Sequence, residues 1–358
     1  MKEMIKLLLI LISLVSFWPA GVLAQEEILE AKVIESLEED VVTQAGKQSL
    51  YQKLKLTVTK GSLQGQEIIV EVGNIPLVGQ PKYQPGDTVL VSFSRDFEGE
   101  TVFYITDFVR RRPLILLFLF FVILAVVVGK WRGLNSLLGL LASFLVIFKL
   151  ILPQIDAGHD PVLVAVTGAA LIIPLTFYLS HGLNRKTTVA MVGTFVSLLI
   201  TAFLAKIFIQ TARLTGYASE EAAFLQVAKG GVMNIRGLIL AGIIIGSLGV
   251  LDDVTVSQAA IIEQLKEANP KMKTKELFDR AMKIGRDHIA SMINTLVLVY
   301  AGAALPLFLL FVDNTHPFME VVNYEIIAEE IIRTLVGSLG LIMAVPITTF
   351  LSVNWGKS

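Results

Sequence analysis

Asp252 and Asp253 are the residues of this sequence best placed to do chemistry. The two adjacent carboxylates close the run Gly242-Ile-Ile-Ile-Gly246-Ser-Leu-Gly249-Val-Leu, which is otherwise apolar. Carboxylates are costly at membrane depth and mark proton or ion pathways where they persist. Desolvation penalises the charged form of an acid packed among glycines, and a close second acid resists simultaneous ionisation. Taking up and shedding a proton there changes the charge of a helix-packing face, a local event able to bias a two-state bundle.

A helix must position these acids. At about 100° per residue, Gly242, Gly246, Gly249 and Asp253 fall on one face. Small residues let a second helix approach closely, so the pattern predicts that Asp253 points into protein, with Asp252 about 100° round from it. Counting from Arg236 at about 1.5 Å per residue puts Asp252 roughly 24 Å along a core about 30 Å thick. Two placements are open: burial between helices, or an interfacial position with the helix ending at Leu251. Val254 to Ile262 contains only Thr255, Ser257 and Gln258 as polar residues, so the helix is free to run on past the acids.

The next apolar stretch offers a partner face. Ser291, Asn294, Thr295, Leu298 and Gly302 lie at i, i+3, i+4, i+7 and i+11, with His288 at its mouth. Such residues either bond helices together or extend a relay from the acids. Arg333 shares a face with Gly337, Gly340, Ala344 and Thr348 near the C-terminus. It is a counter-charge for a carboxylate or a snorkelling arginine.

Composition fixes the class. The chain has 358 residues, 54% of them hydrophobic, and several apolar runs long enough to cross a bilayer. It is an integral membrane protein whose first partner is the lipid bilayer. A net charge of −1 leaves no nucleic-acid footprint. The absence of cysteine excludes disulfides, thiolate metal sites and a cysteine nucleophile. His159, His181, His288 and His316 lack metal-ligand spacing, so no metal and no cofactor is implied.

In chain order, residues 1–24 read as a signal peptide, with an uncleaved signal anchor as the alternative. Residues 25–109 read as an extracytoplasmic β domain. Strand patterns occupy Ile28–Leu37, Leu50–Lys60, Glu67–Val72, Thr88–Phe93 and Thr101–Ile105, separated by Gly- and Pro-containing turns. Five short strands suggest a small barrel. Its 14 acidic against 7 basic residues between Gln25 and Asp107 argue against phosphate binding.

Residues 110–358 form the transmembrane domain, read as about seven spans: 114–128, 134–152, 162–180, 189–209, 238–258, 289–311 and 327–353. Basic residues collect at Lys130, Arg132, Arg185, Lys186 and along the amphipathic segment 259–286, which the pattern lays on an anionic inner leaflet. The bias places the β domain outside and the C-terminus inside. Arg110-Arg111-Arg112 run against it, and are expected to touch headgroups or the acidic β domain.

The order of signal, β domain and spans, with the run Leu248-Gly-Val-Leu-Asp252-Asp253-Val-Thr-Val-Ser-Gln258, resembles the YibE/F family of bacterial membrane proteins. That resemblance implies a multi-pass protein of the bacterial cytoplasmic (plasma) membrane. The same acids, the segment 259–286 and the stretch 289–311 also resemble the centre of a resistance-nodulation-division (RND) transporter half, a superfamily that includes the SecD/SecF export proteins. This second resemblance implies an RND-half-like bundle from the second span on, proton-motive coupling with Asp252 and Asp253 as relay, and a homodimer or a heterodimer with a paralogue. The large outer domain after the first span of such a half has no counterpart here, where only Leu152–Val162 intervenes.

The expected function is a proton-coupled secondary transporter or proton-driven membrane machine, not an enzyme, acting on an unknown small molecule or lipid. The alternative is a non-catalytic scaffold working through the β domain. An intramembrane aspartyl protease is the weakest reading, since it needs acids on two helices sharing a proton, and the spans 134–152, 162–180, 189–209 and 289–311 contain no Asp or Glu.

Overall fold

The structure, a computed structural model, describes residues 27–44, 47–73, 81–95, 101–312 and 317–355. The expected signal segment and His316 lie outside them. The chain divides into two compact units at Leu124/Ala125.

The N-terminal unit carries five antiparallel strands, β1 (Ile28–Gln44), β2 (Lys47–Lys60), β3 (Glu67–Val72), β4 (Thr88–Arg95) and β5 (Thr101–Phe108), in the order β3-β2-β1-β4-β5. The edge strands β3 and β5 touch, so the sheet curls towards a barrel. Alternation builds the core: Leu29, Ala31 and Val33 of β1 meet Leu54, Leu56 and Val58 of β2, with Ile68, Val70, Val89 and Val91 from the flanking strands. Buried Gln52 acts as a surrogate strand partner for Tyr83, donating to its carbonyl (3.0 Å) and accepting from its N–H (2.9 Å). The first two strands run longer than their sequence pattern because the hairpin stays paired out to Gln44↔Lys47.

Arginines of the Arg110-Arg111-Arg112 run contact the acidic β domain. Arg110 pairs with Asp107 at 2.6 Å, and Arg111 pairs with Glu30, which also faces Lys60 at 3.6 Å. The hydrogen bond from Arg111 holds the Glu30 carboxyl below its ordinary value. A depressed acid contributes stability above the unfolded-state pKa and loses it as pH falls through the folded value. Glu30→Gln should therefore remove a stabilisation present at neutral pH, under about 1 kcal/mol for so exposed an arginine. Hydrogen exchange of β1 in the full chain, pulsed after incubation at falling pH, should show a shallower acid dependence in the variant. An unchanged profile would count against the clamp.

Among the described residues, five helices are long and apolar enough to cross a membrane: α1 (Arg111–Asp156), which begins in the N-terminal unit and continues past Leu124 into the second, and α2 (Pro161–His181), α3 (Arg185–Thr211), α5 (Ile235–Ala268) and α9 (Glu325–Asn354) of the second unit. Shorter helices are α4 (Glu220–Ala228), capped by Ser219 as its sequence predicts, α7 (Leu305–Val312) and α8 (Phe318–Val321). α6 spans Thr274–Ala303.

The difference from seven spans has two physical sources. The stretches expected at 114–128 and 134–152 both lie in α1, which breaks at Lys130 (φ 51°, ψ −136°). Beyond the break, Gly133 comes so close to the Ala125 carbonyl that a Cβ would sit 2.0 Å from its oxygen. The stretch expected at 289–311 is divided between α6 and α7 at Ala304, just ahead of Pro306, which has no N–H to continue the ladder. Pro174 and Pro346 sit within continuous helices.

The segment 259–286 is shared between two helices that form a hairpin. α5 continues to Ala268, Asn269 caps a turn by accepting from the Lys271 N–H, and α6 starts at Thr274. Ile262, Leu277, Ala281 and Val353 close this helical hairpin with a small core of their own. The main core lies where α3, α5 and α9 pack together, flanked by α2.

Candidate functional site

α5 is apolar nearly all round, so its packing face cannot be read from hydrophobic periodicity. The buried face is Ile244, Ser247, Leu251, Thr255 and Gln258. Gly242, Gly246, Gly249 and Asp253 share one face, as their spacing predicts, but that face is exposed. A Cβ at Gly242 or Gly249 would meet nothing within 4 Å, and one at Gly246 would lie 3.7 Å from the Tyr300 hydroxyl of α6. The expected roles of the two acids are thereby reversed. Asp253 is exposed, within coulombic reach of His181, while Asp252 is the half-buried one.

Asp252 lines a cavity of about 270 Å³ walled by the second arm of α1, by α2 and by α5. Ser136 and Ser143 of α1 and Thr176 and Ser180 of α2 supply hydroxyls to it. The wall is tight because α1 has a glycine at 139, where a Cβ would come 3.3 Å from Ser180 Oγ. Asp252 Oδ1 is buried with no hydrogen-bond partner. Ser143 donates its proton to the Gly139 carbonyl (3.0 Å) and Thr176 donates to that of Ile172 (3.0 Å). What these two present to the cavity is oxygen lone pairs. A proton on the acid would convert Oδ1 from an acceptor without a donor into a donor.

These hydroxyls escaped the sequence reading, although Ser136, Gly139 and Ser143 at i, i+3 and i+7, with Thr176 and Ser180 at i and i+4, form small polar stripes on apolar helices. A second polar seam runs through the core. Thr255, whose hydroxyl lies 3.2 Å from the Asp252 carbonyl, meets Thr194 of α3 at 2.6 Å. Buried Gln258 donates to Thr349 Oγ1 (2.7 Å) and to the Ala281 carbonyl (3.1 Å). The polar residues beyond the acids thus keep the helix inside the bundle.

The other sequence-predicted partners are elsewhere. Ser291, Asn294, Thr295, Leu298 and Gly302 share an exposed face of α6, and Thr295 donates to the Ser291 carbonyl (3.1 Å). His288 keeps a buried Nε2 without a partner. Arg333 is no counter-charge for the acid pair. Its guanidinium binds Glu329 and Glu330 (2.9 Å) one turn back on α9. Among the described residues, no group of three or more His, Asp or Glu is placed to hold a metal ion.

A family model described as YibE/F-like protein matches residues 117–357. No curated protein and no solved structure matches the chain.

Proposed function

The chain belongs to the YibE/F-like family, and from that premise we propose that it is a proton-coupled secondary transporter or proton-driven membrane machine with Asp252 as the group that binds and releases the proton. The observation carrying this reading is the buried, unpartnered Oδ1 of Asp252 in a hydroxyl-lined cavity. A carboxylate kept there without a donor is expensive, and a proton relieves it. Asp253, one residue on and exposed, takes the proton between that cavity and the aqueous side. An RND-half-like bundle is part of this proposal, and the cavity, the acid and the polar seam on a helix that continues past the acids are what support it. The protein would then sit in the bacterial cytoplasmic membrane with the β domain outside and the C-terminus inside.

Purified full-length protein in liposomes carrying a lumenal pH dye tests the reading. Proton movement above that of protein-free vesicles is expected under an imposed pH gradient or potential. Flux indistinguishable from empty vesicles under every gradient would overturn it.

One half per chain implies a homodimer, and the uncovered faces of α5 and α6 are the surface it would use. Polar Asn294 and Thr295 of amphipathic α6 and the glycines at 242 and 249 of apolar α5 are exposed, and small residues and side-chain amides favour a second helix. The chain has no cysteine, so single cysteines report cleanly. Asn294→Cys and Gly249→Cys should cross-link into a covalent dimer in native membranes, whereas Leu296→Cys, buried within the protomer, should not. A cross-linked species of different mass would indicate a paralogue as partner, and none at either position would remove the dimer.

A further inference from the structure

We propose that the cavity at the end of the bundle where α3 begins and α5 and α9 finish binds a zwitterionic aminophospholipid headgroup, phosphate and ammonium together. The cavity, about 410 Å³, shares no lining residue with the Asp252 cavity. Its deep wall is apolar, made by Val189, Ala259 and Ile262, each buried. Its mouth carries Arg185, Lys186 and Lys266 against Glu263 and Glu267.

Two of these five charges are matched to each other. Lys186 binds Glu263 at 2.7 Å, while among the described residues Arg185, Lys266 and Glu267 have no ion-pair partner. Arg185 and Lys186 also occupy the first turn of a 27-residue helix capped by Asn184, whose dipole favours an anion. Ser352 also lines the cavity. The carboxylates decide the class of ligand. They would repel a bare phosphate or a purely anionic headgroup, but they suit an ammonium next to the phosphate. The position decides the source, because the cavity sits where apolar helices give way to charge, the level of lipid headgroups.

Thermal-unfolding midpoints of the purified full-length protein in detergent, titrated with dioleoyl-phosphatidylethanolamine, -phosphatidylglycerol, -phosphatidylcholine or inorganic phosphate, test this. Phosphatidylethanolamine should stabilise at concentrations about tenfold below the other lipids, the scale expected of charge-assisted hydrogen bonds at both ends of the headgroup. Arg185→Gln/Lys266→Gln should lose the response. Glu267→Gln should erase the preference over phosphatidylglycerol. Exposed Lys266→Gln alone serves if the double variant is unstable without lipid. Equal stabilisation by all three lipids, a response surviving in the basic-residue variants, or an equal response to inorganic phosphate would each overturn the proposal.

Discussion

Asp252→Asn should abolish proton-coupled movement, lowering it by about a hundredfold or more, the scale on which a positioned proton-transfer group counts. The protein should fold as well as wild type. Asparagine keeps the shape of the acid, and its amide N–H groups can donate to the oxygens that Ser143 and Thr176 turn towards the cavity. It satisfies the site as a protonated acid would, yet has no proton to release. Asp253→Asn should behave differently. That side chain is exposed and outside the cavity lining, so its loss should slow proton delivery by about threefold, as expected for a solvent-screened charge. Infrared difference spectra supply a readout that needs no substrate. A carboxylic C=O band that appears on acidification should be present in wild type and Asp253→Asn and missing from Asp252→Asn. Wild-type flux in Asp252→Asn would end the proton reading, and a band lost only in Asp253→Asn would exchange the two roles.

Why the sequence pointed to Asp253 as the inward acid is instructive. Small residues mark faces where helices approach closely, and Gly242, Gly246 and Gly249 do share a face with Asp253. Within this chain the close approaches are made by other glycines: Gly193 against Thr348, Gly340 against Thr201, and Gly285 against Gln258 and Val345. The pattern on α5 was legible, but which partner covers it was not. By contrast, the five strands were recovered in place, because alternation on a half-buried sheet names its own inner face. The partners of Arg333 were also legible in principle, as acids at i−3 and i−4 on a helix. The Asp252 cavity was not. It is assembled from α1, α2 and α5, and which stripes on three apolar helices face each other depends on packing that one sequence does not encode visibly.

The contact between Gly340 and Thr201 sets the largest stability effect expected from a single methyl group. A Cβ at position 340 would stand 2.0 Å from Thr201 Oγ1, 3.2 Å from its Cβ and 3.3 Å from its Cγ2. Threonine cannot swing clear, because its β-branch leaves few χ1 positions in a helix and Oγ1 is already bonded to the Ser197 carbonyl at 2.8 Å. Gly340→Ala must therefore push α9 from α3, and the gap would be felt at Gly193 and Thr348, two turns along the same antiparallel pair. Overpacking of this kind costs about 1–3 kcal/mol, and the thermal midpoint in detergent should fall accordingly. Thr201→Gly in the Gly340→Ala background removes all three obstructing atoms. It should restore more than half of the lost midpoint, even though glycine is a poorer helix former than threonine by about 0.3–0.5 kcal/mol. That sign reversal is the diagnostic. If the double variant were as unstable as the sum of its parts, the two helices would not be held at this distance by the glycine. The close α3–α9 packing that buries Thr194 and Thr349 against Thr255 and Gln258 of Asp252's helix would then need another cause.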